Sequence, residues 1–228
     1  PVPLRQLLVD PAGFFAAERD TWLGAGLAVG TLCLLALASL LVPIAILVST
    51  GKDLGIAESF PAVRYVAGEA AFVLDGRSLG VLAVVTLAPI PIVAGFALCF
   101  HLLSWPVASR GSLGETARVT AWGALPLAIA NALTLVGTLL VIPQTVDDLG
   151  YAYVTLTGRT IVQHSDPTLV LLLANLLGVA CVCWAAVVWI RGLERVRGCS
   201  VWQAALVVGI PVALAVAINA PNLLYGFL

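Results

Sequence analysis

Long uncharged intervals divide the chain. No Asp, Glu, Lys or Arg falls between Asp20 and Lys52, Arg77 and Arg110, Arg118 and Asp147, or Asp166 and Arg191, and none follows Arg197. Each interval holds the roughly 20 apolar residues that a helix needs to cross about 30 Å of hydrocarbon. The pattern predicts spans over about 23–48, 80–105, 119–143, 168–190 and 200–224. These runs are apolar all round and far longer than the alternating segments of about ten residues that build a membrane β-barrel. The fold class that follows is an all-α integral membrane protein with five transmembrane helices in a single domain covering 1–228. Pro43, Pro89, Pro91, Pro126, Pro211 and Pro221 lie in or beside the runs. Each proline kinks or ends its helix, or sits where a neighbouring helix covers the freed carbonyl.

The connections carry weaker periodicities. Before the first span, Asp10 followed by Pro11 reads as an N-cap and first helical position of a short helix. Phe14, Phe15 and Trp22 are expected to hold this helix at the membrane interface, where aromatic side chains collect. In the loop after the first span, Val63, Val66, Ala70, Val73 and Leu74 recur at roughly helical spacing and predict a surface helix. The alternating, β-branched stretch around Gly158 predicts a small hairpin. Gly26 with Gly30, and Ala174 with Gly178, form small-xxx-small pairs expected to let helix backbones approach closely. No internal repeat is clear enough to argue the duplication common in transporters.

Composition strengthens the membrane assignment: 61% of residues are hydrophobic and 10% charged, against about 25% charged in soluble domains. With the N-terminus inside, Arg5, Arg19, Arg110, Arg118, Arg191, Arg195 and Arg197 face the cytoplasm, and Lys52, Arg64, Arg77 and Arg159 lie opposite. The positive-inside rule therefore predicts a cytoplasmic N-terminus and, with five crossings, an outside C-terminus in the cell membrane. The first span is not a cleaved leader, because its run is too long and Asp10, Glu18 and Asp20 precede it.

Candidate chemistry is sparse. Catalysis needs titratable groups converging in a pocket, and His101 is the one titratable group of that kind in the spans apart from cysteines. No catalytic, cofactor-binding or metal-binding residue is assigned, and nothing suggests nucleic-acid binding. Cys181 and Cys183 are two apart, so on a helix they point about 200° from one another and cannot grip one ion. Cys199, beside the inner surface, is either a plain thiol or an acylation site. His101 closes the second span and reads as an anchor or interhelical hydrogen bond, with a functional contact as the alternative. Asn131, Asn175 and Asn219 are candidate interhelical hydrogen-bonding groups. The link after His101 carries Arg110 and Arg118, both available to anionic headgroups, and forms a candidate interaction hinge with Gly111, Gly114, Trp122 and Pro126.

Several of these residues also carry a resemblance. Pro11, Phe14 and Phe15 precede the first span; His101 closes the second; Gly111, Gly114 and Thr116 follow in the link; and Trp122 stands four residues before Pro126. Downstream, Trp189 leads to Gly192 and Leu193, a short basic turn, and an alanine-rich run with Ala204 and Pro211. In these features the chain resembles the Yip-one (Ypt/Rab-interacting protein) domain family, in particular its archaeal and bacterial branch. The resemblance implies an N-cytoplasmic, five-helix membrane protein without enzymatic activity or cofactor. Eukaryotic members are linked with vesicle traffic, membrane shaping and prenylated Rab-type GTPases. That partner is not carried over, because only about 22 residues precede the first span here, in place of the long acidic, aromatic arm of eukaryotic members.

Two function classes follow. One is a non-catalytic scaffold or adaptor that binds membrane lipid, another membrane protein or a second copy of itself. The other is a transporter, channel or permease subunit, or an accessory subunit of a larger complex. The proline-rich runs at 87–95 and 219–222 support this second class, which predicts a wet cavity near Thr86, Asn131 or Asn219.

Overall fold

The computed structural model describes residues 4–16, 22–49, 63–66, 69–72, 75–149 and 169–224. Two short helices, α1 (Leu4–Val9) and α2 (Pro11–Ala16), lead into α3 (Trp22–Ser49). A pair of strands, β1 (Val63–Val66) and β2 (Glu69–Phe72), precedes α4 (Gly76–Leu87) and α5 (Pro89–Ser104). The chain continues through α6 (Leu113–Trp122), α7 (Ala124–Leu149), α8 (Leu169–Arg197) and α9 (Val201–Leu224). Apart from the strand pair, the described fold is all-α.

Four stretches are long and apolar enough to cross a membrane: Trp22–Val42, Gly76–Ser104, Leu113–Gly137 and Leu176–Arg197. The last uncharged interval falls in α9, where Val201–Leu214 forms a shorter apolar stretch. Two of the spans are composite. The α4–α5 span passes through Ala88, which keeps helical angles and donates to the Val84 carbonyl at 2.9 Å, so Pro89 enters at a first-turn position where no N–H is needed. The α6–α7 span bends at Gly123, with Pro126 buried one turn beyond.

Side-chain caps set several helix starts. Asp10 accepts from the Gly13 N–H at 2.9 Å, as expected for the N-cap of α2. Asp75 and Ser78 form a reciprocal capping box on α4, Ser112 and Glu115 another on α6, and Ser200 and Gln203 a third pairing at the start of α9.

The surface helix expected around 63–74 is corrected by the structure. Val63–Val66 and Glu69–Phe72 pair as antiparallel strands, with Val63 opposite Phe72 and Val66 opposite Glu69. β-branched and aromatic residues in β1, and a two-residue separation containing Gly68, favour the hairpin over the helical period. The hairpin expected around Gly158 lies outside the described residues.

Helix α8 packs against α2, α6, α7 and α9, while α3 packs against α4, α5, α6 and α7. One buried cluster joins Phe14, Ala28, Val119, Trp122 and Val188; a second joins Phe100, Trp189, Leu193 and Val208. Helix α3 enters the first through Ala25, Ala28 and Leu32, spaced three and four apart on one face. Gly26 and Gly30 fall off that face, and a Cβ on either would meet nothing within 4 Å; the same holds for Gly178. The close backbone approaches expected at these glycines are therefore absent from the described packing. The tightest packing on helical glycines of the bundle comes instead from side chains, with the Trp189 indole on Gly123 and Val119 and Phe15 on Gly192, leaving no room there for a Cβ.

Candidate functional site

The polar chemistry of the described fold concentrates at one end of the bundle, where the α5–α6 link meets the α8–α9 turn. Both connections must reverse direction within a few residues, and both do so through a glycine in the left-handed region: Gly111 at φ 89° and Gly198 at φ 64°. Space adds a second constraint. A Cβ on Gly111 would stand 2.6 Å from the Val196 carbonyl oxygen, and one on Gly198 would stand 2.4 Å from Ser109 Oγ.

Two arginines reach across this junction in opposite directions. The Arg197 Nε donates to Ser104 Oγ at 2.9 Å, and its guanidinium also donates to the Gly111 carbonyl. From the other connection, Arg110 donates to the Arg195 carbonyl at 3.1 Å. The backbone joins in: the N–H groups of Ser109 and Arg110 donate to the Arg197 carbonyl at 3.1 and 3.4 Å, and Ser109 Oγ donates to the Gly198 carbonyl at 3.2 Å. The last carbonyls of α8, which have no intrahelical partner, thus find donors in the other connection. Arg197 is only 3% exposed. Trp105, at 70%, and Trp202, at 82%, stand exposed beside the clasp, in the manner of side chains that sit among lipid headgroups.

Just inside the clasp, the indole N–H of Trp189 donates to the Thr120 carbonyl at 2.9 Å, with the ring lying against Gly123. Phe96 and Phe100 pack on the same indole, with ring centroids 5.5 and 5.3 Å away. Thr116 and Thr120 turn their hydroxyls back to the carbonyls of Ser112 and Thr116, as buried helical threonines commonly do.

Of the residues singled out by sequence, His101 lies with its Nδ1 3.4 Å from Thr116 Oγ1, joining α5 to α6. Arg110 and Gly111 belong to the clasp, whereas Gly114 lies against Trp22 and Arg118 on the next turn of α6. Trp122 and Pro126 are buried in the bend. Trp122 packs edge-on against Phe14 at 5.1 Å, and its own N–H meets no acceptor among the described residues. Phe14 and Phe15 are buried where α2 packs against α8, and Trp22 is the exposed member of the three. Asn131 is half-buried in α7, away from the clasp, and the side chains of Asn175 and Asn219 lie outside the described ones. Cys199 is buried, and burial pushes its thiol pKa up, which disfavours the thiolate that acylation requires. Cys181 is buried and Cys183 exposed, as their spacing predicts. Among the described residues no three of His, Cys, Asp and Glu gather around a common metal position.

Sequence reading missed Ser104 and above all Arg197, which counted only as one of the inside charges, and took Trp189 only as part of the resemblance. A signal for Arg197 exists. Arg110-Gly111-Ser112 followed by Glu115 and Arg197-Gly198-Cys199-Ser200 followed by Gln203 share an order: arginine, left-handed glycine, serine cap, and a Glu or Gln three residues on. The match is local to the two connections and one residue out of register.

A family model described as Yip1 domain matches residues 5–220. No curated protein and no solved structure matches the chain.

Proposed function

The chain belongs to the Yip1 domain family, and from that premise we propose that this multi-pass membrane protein is a non-enzymatic scaffold or adaptor of the cell membrane. Its partners are membrane lipid and either another membrane protein or a second copy of itself. The family match and the apolar helices support the membrane role. The observation that carries the scaffold reading is where the buried polar groups go. Trp189 is spent on Thr120, Arg197 on Ser104 and Gly111, and the threonine hydroxyls on their own helices. Trp189 and Arg197 thus tie one element to another, and among the described residues the buried polar groups do not converge on a reacting centre.

Five crossings, with the clasp and N-terminus in the cytoplasm and the C-terminus outside, is the topology that accords with this reading. It puts Arg110, Arg118, Arg195 and Arg197 on the side where basic residues accumulate. Purification in a gentle detergent, with mass spectrometry of everything retained, tests the proposal. A partner or second copy held in fixed proportion is the expected result. A protein that emerges alone, and passes a solute through reconstituted vesicles in a manner lost on Asn131→Leu, would replace the scaffold by a transporter.

A further inference from the structure

One groove of the bundle is filled by the chain's own N-terminal segment. Helices α1 and α2 have six residues each, too short to hold a helix by themselves in water, so the seat they occupy sets their shape. Leu7, Phe14 and Phe15 turn inward and are buried, while Arg5, Val9 and Asp10 are exposed. The seat is built by α6 and α8. The Phe15 ring and Val119 occupy the space that Gly192 leaves free of a side chain, Phe14 packs on Trp122, and Val188 joins the same cluster.

The seat holds one polar group that its occupant leaves unsatisfied. Trp122 is 1% exposed, and its Nε1 meets no acceptor among the described residues. The Phe14 ring beside it brings no oxygen, and a π face is only a weak acceptor. Trp189, the other buried indole, donates to the Thr120 carbonyl. A buried donor without an acceptor bears the full cost of leaving water. A helix that filled the same groove and brought an oxygen to Trp122 Nε1 would therefore make a contact that α2 lacks. We infer that the groove between α6 and α8 is the docking site for a short amphipathic helix of another membrane protein, and that α1 and α2 occupy it in cis until displaced. The incoming helix presents adjacent bulky apolar side chains and a hydroxyl, amide or carboxylate oxygen. The inference rests on the scaffold reading and adds to it the surface and the kind of partner.

The test uses the full chain in detergent and two peptides of residues 4–16, one carrying Phe14→Gln and the other Phe14→Met. The two side chains are similar in length, and only the first brings a strong acceptor. Binding is read by fluorescence anisotropy of the labelled peptide, and displacement of α1 and α2 by amide hydrogen exchange over 4–16 of the chain. Both peptides should bind, more tightly where Phe15→Ala in the chain loosens the cis occupant, and exchange over 4–16 should speed as they do. Trp122→Phe should cut the affinity of the Phe14→Gln peptide about fivefold relative to the Phe14→Met peptide, the worth of one hydrogen bond. If Trp122→Phe does not fold, the indole resonances of the isotope-labelled chain decide: one N–H signal should move further downfield with the Phe14→Gln peptide than with the other. Failure of both peptides to bind, binding that leaves 4–16 protected, or relative affinities indifferent to Trp122→Phe overturns the inference. So does protection over 4–16 that rises with chain concentration, which would assign the groove to a second copy. Partner capture in gentle detergent stays a separate test of the scaffold reading, because it does not depend on which groove is used.

Discussion

Gly123 and Gly26 show how differently two glycines in apolar helices respond to one added methyl group. At Gly123 the indole of Trp189 occupies the space, so Gly123→Ala must displace a ring that is hydrogen-bonded to Thr120 and stacked on Phe96. Overpacking of this kind costs about 1–3 kcal/mol, and thermal unfolding in detergent should register it as a lower melting temperature. Gly26→Ala meets nothing and adds helix propensity, so its melting temperature should hold or rise. Cys199 gives a chemical counterpart. Burial keeps its proton on, so maleimide should label it slowly at pH 7–8 in the folded protein and fast once detergent-unfolded. A thiol whose pKa is raised by folding contributes stability below the ordinary value of about 8.5, and that contribution is lost as pH climbs through the raised value. Cys199→Ser should therefore flatten the alkaline limb of the stability profile, as read by melting temperature against pH.

The start of α2 was legible, because its chemistry is local: Asp10 before Pro11 announces it without reference to the rest of the chain. The Ser112 and Glu115 pair has the spacing of a capping box but went unread, and α6 begins six residues before the span expected from 119. Ser112→Ala and Ser200→Ala should each cost about 1 kcal/mol, measurable by thermal unfolding. The strands β1 and β2 were misread for a physical reason: in a segment of about a dozen residues, small apolar side chains satisfy a period of 3.6 nearly as well as a period of 2. Of the residues that cross between elements, His101 and Arg110 were singled out and Arg197 was not. Only the glycine and serine cap that follow it set Arg197 apart from Arg195, yet one guanidinium is buried in the clasp and the other faces outward, a difference set by where α5 and its Ser104 come to lie. Phe14 and Phe15 were recognised as anchors, but their burial depends on α8 passing over α2, which no window of sequence contains.

At the scale of the whole molecule, the charge-free intervals foretold an all-α membrane protein, four of whose stretches are long and apolar enough to span, and their basic flanks predict an orientation that is open to direct measurement. Reporter fusions at the two chain ends should fall on opposite faces of the bilayer; a shared face would remove either the fifth crossing or the proposed topology. Packing is uneven along the bundle, with Arg197, Trp189, Trp122 and Phe14 buried towards the clasp, whereas Leu79, Val84, Leu173, Leu177 and Ile210 remain exposed towards the other end. The clasp also has a bearing on biogenesis. Its side-chain bonds join positions 85 to 93 residues apart, and domains form largely in the order of synthesis. The first three hydrophobic segments therefore leave the ribosome and enter the bilayer with the Ser104 hydroxyl and the Gly111 carbonyl still waiting for Arg197. A nascent chain that stalls ahead of that arginine is inserted yet unsealed, a state that a membrane quality-control protease could tell from the finished product.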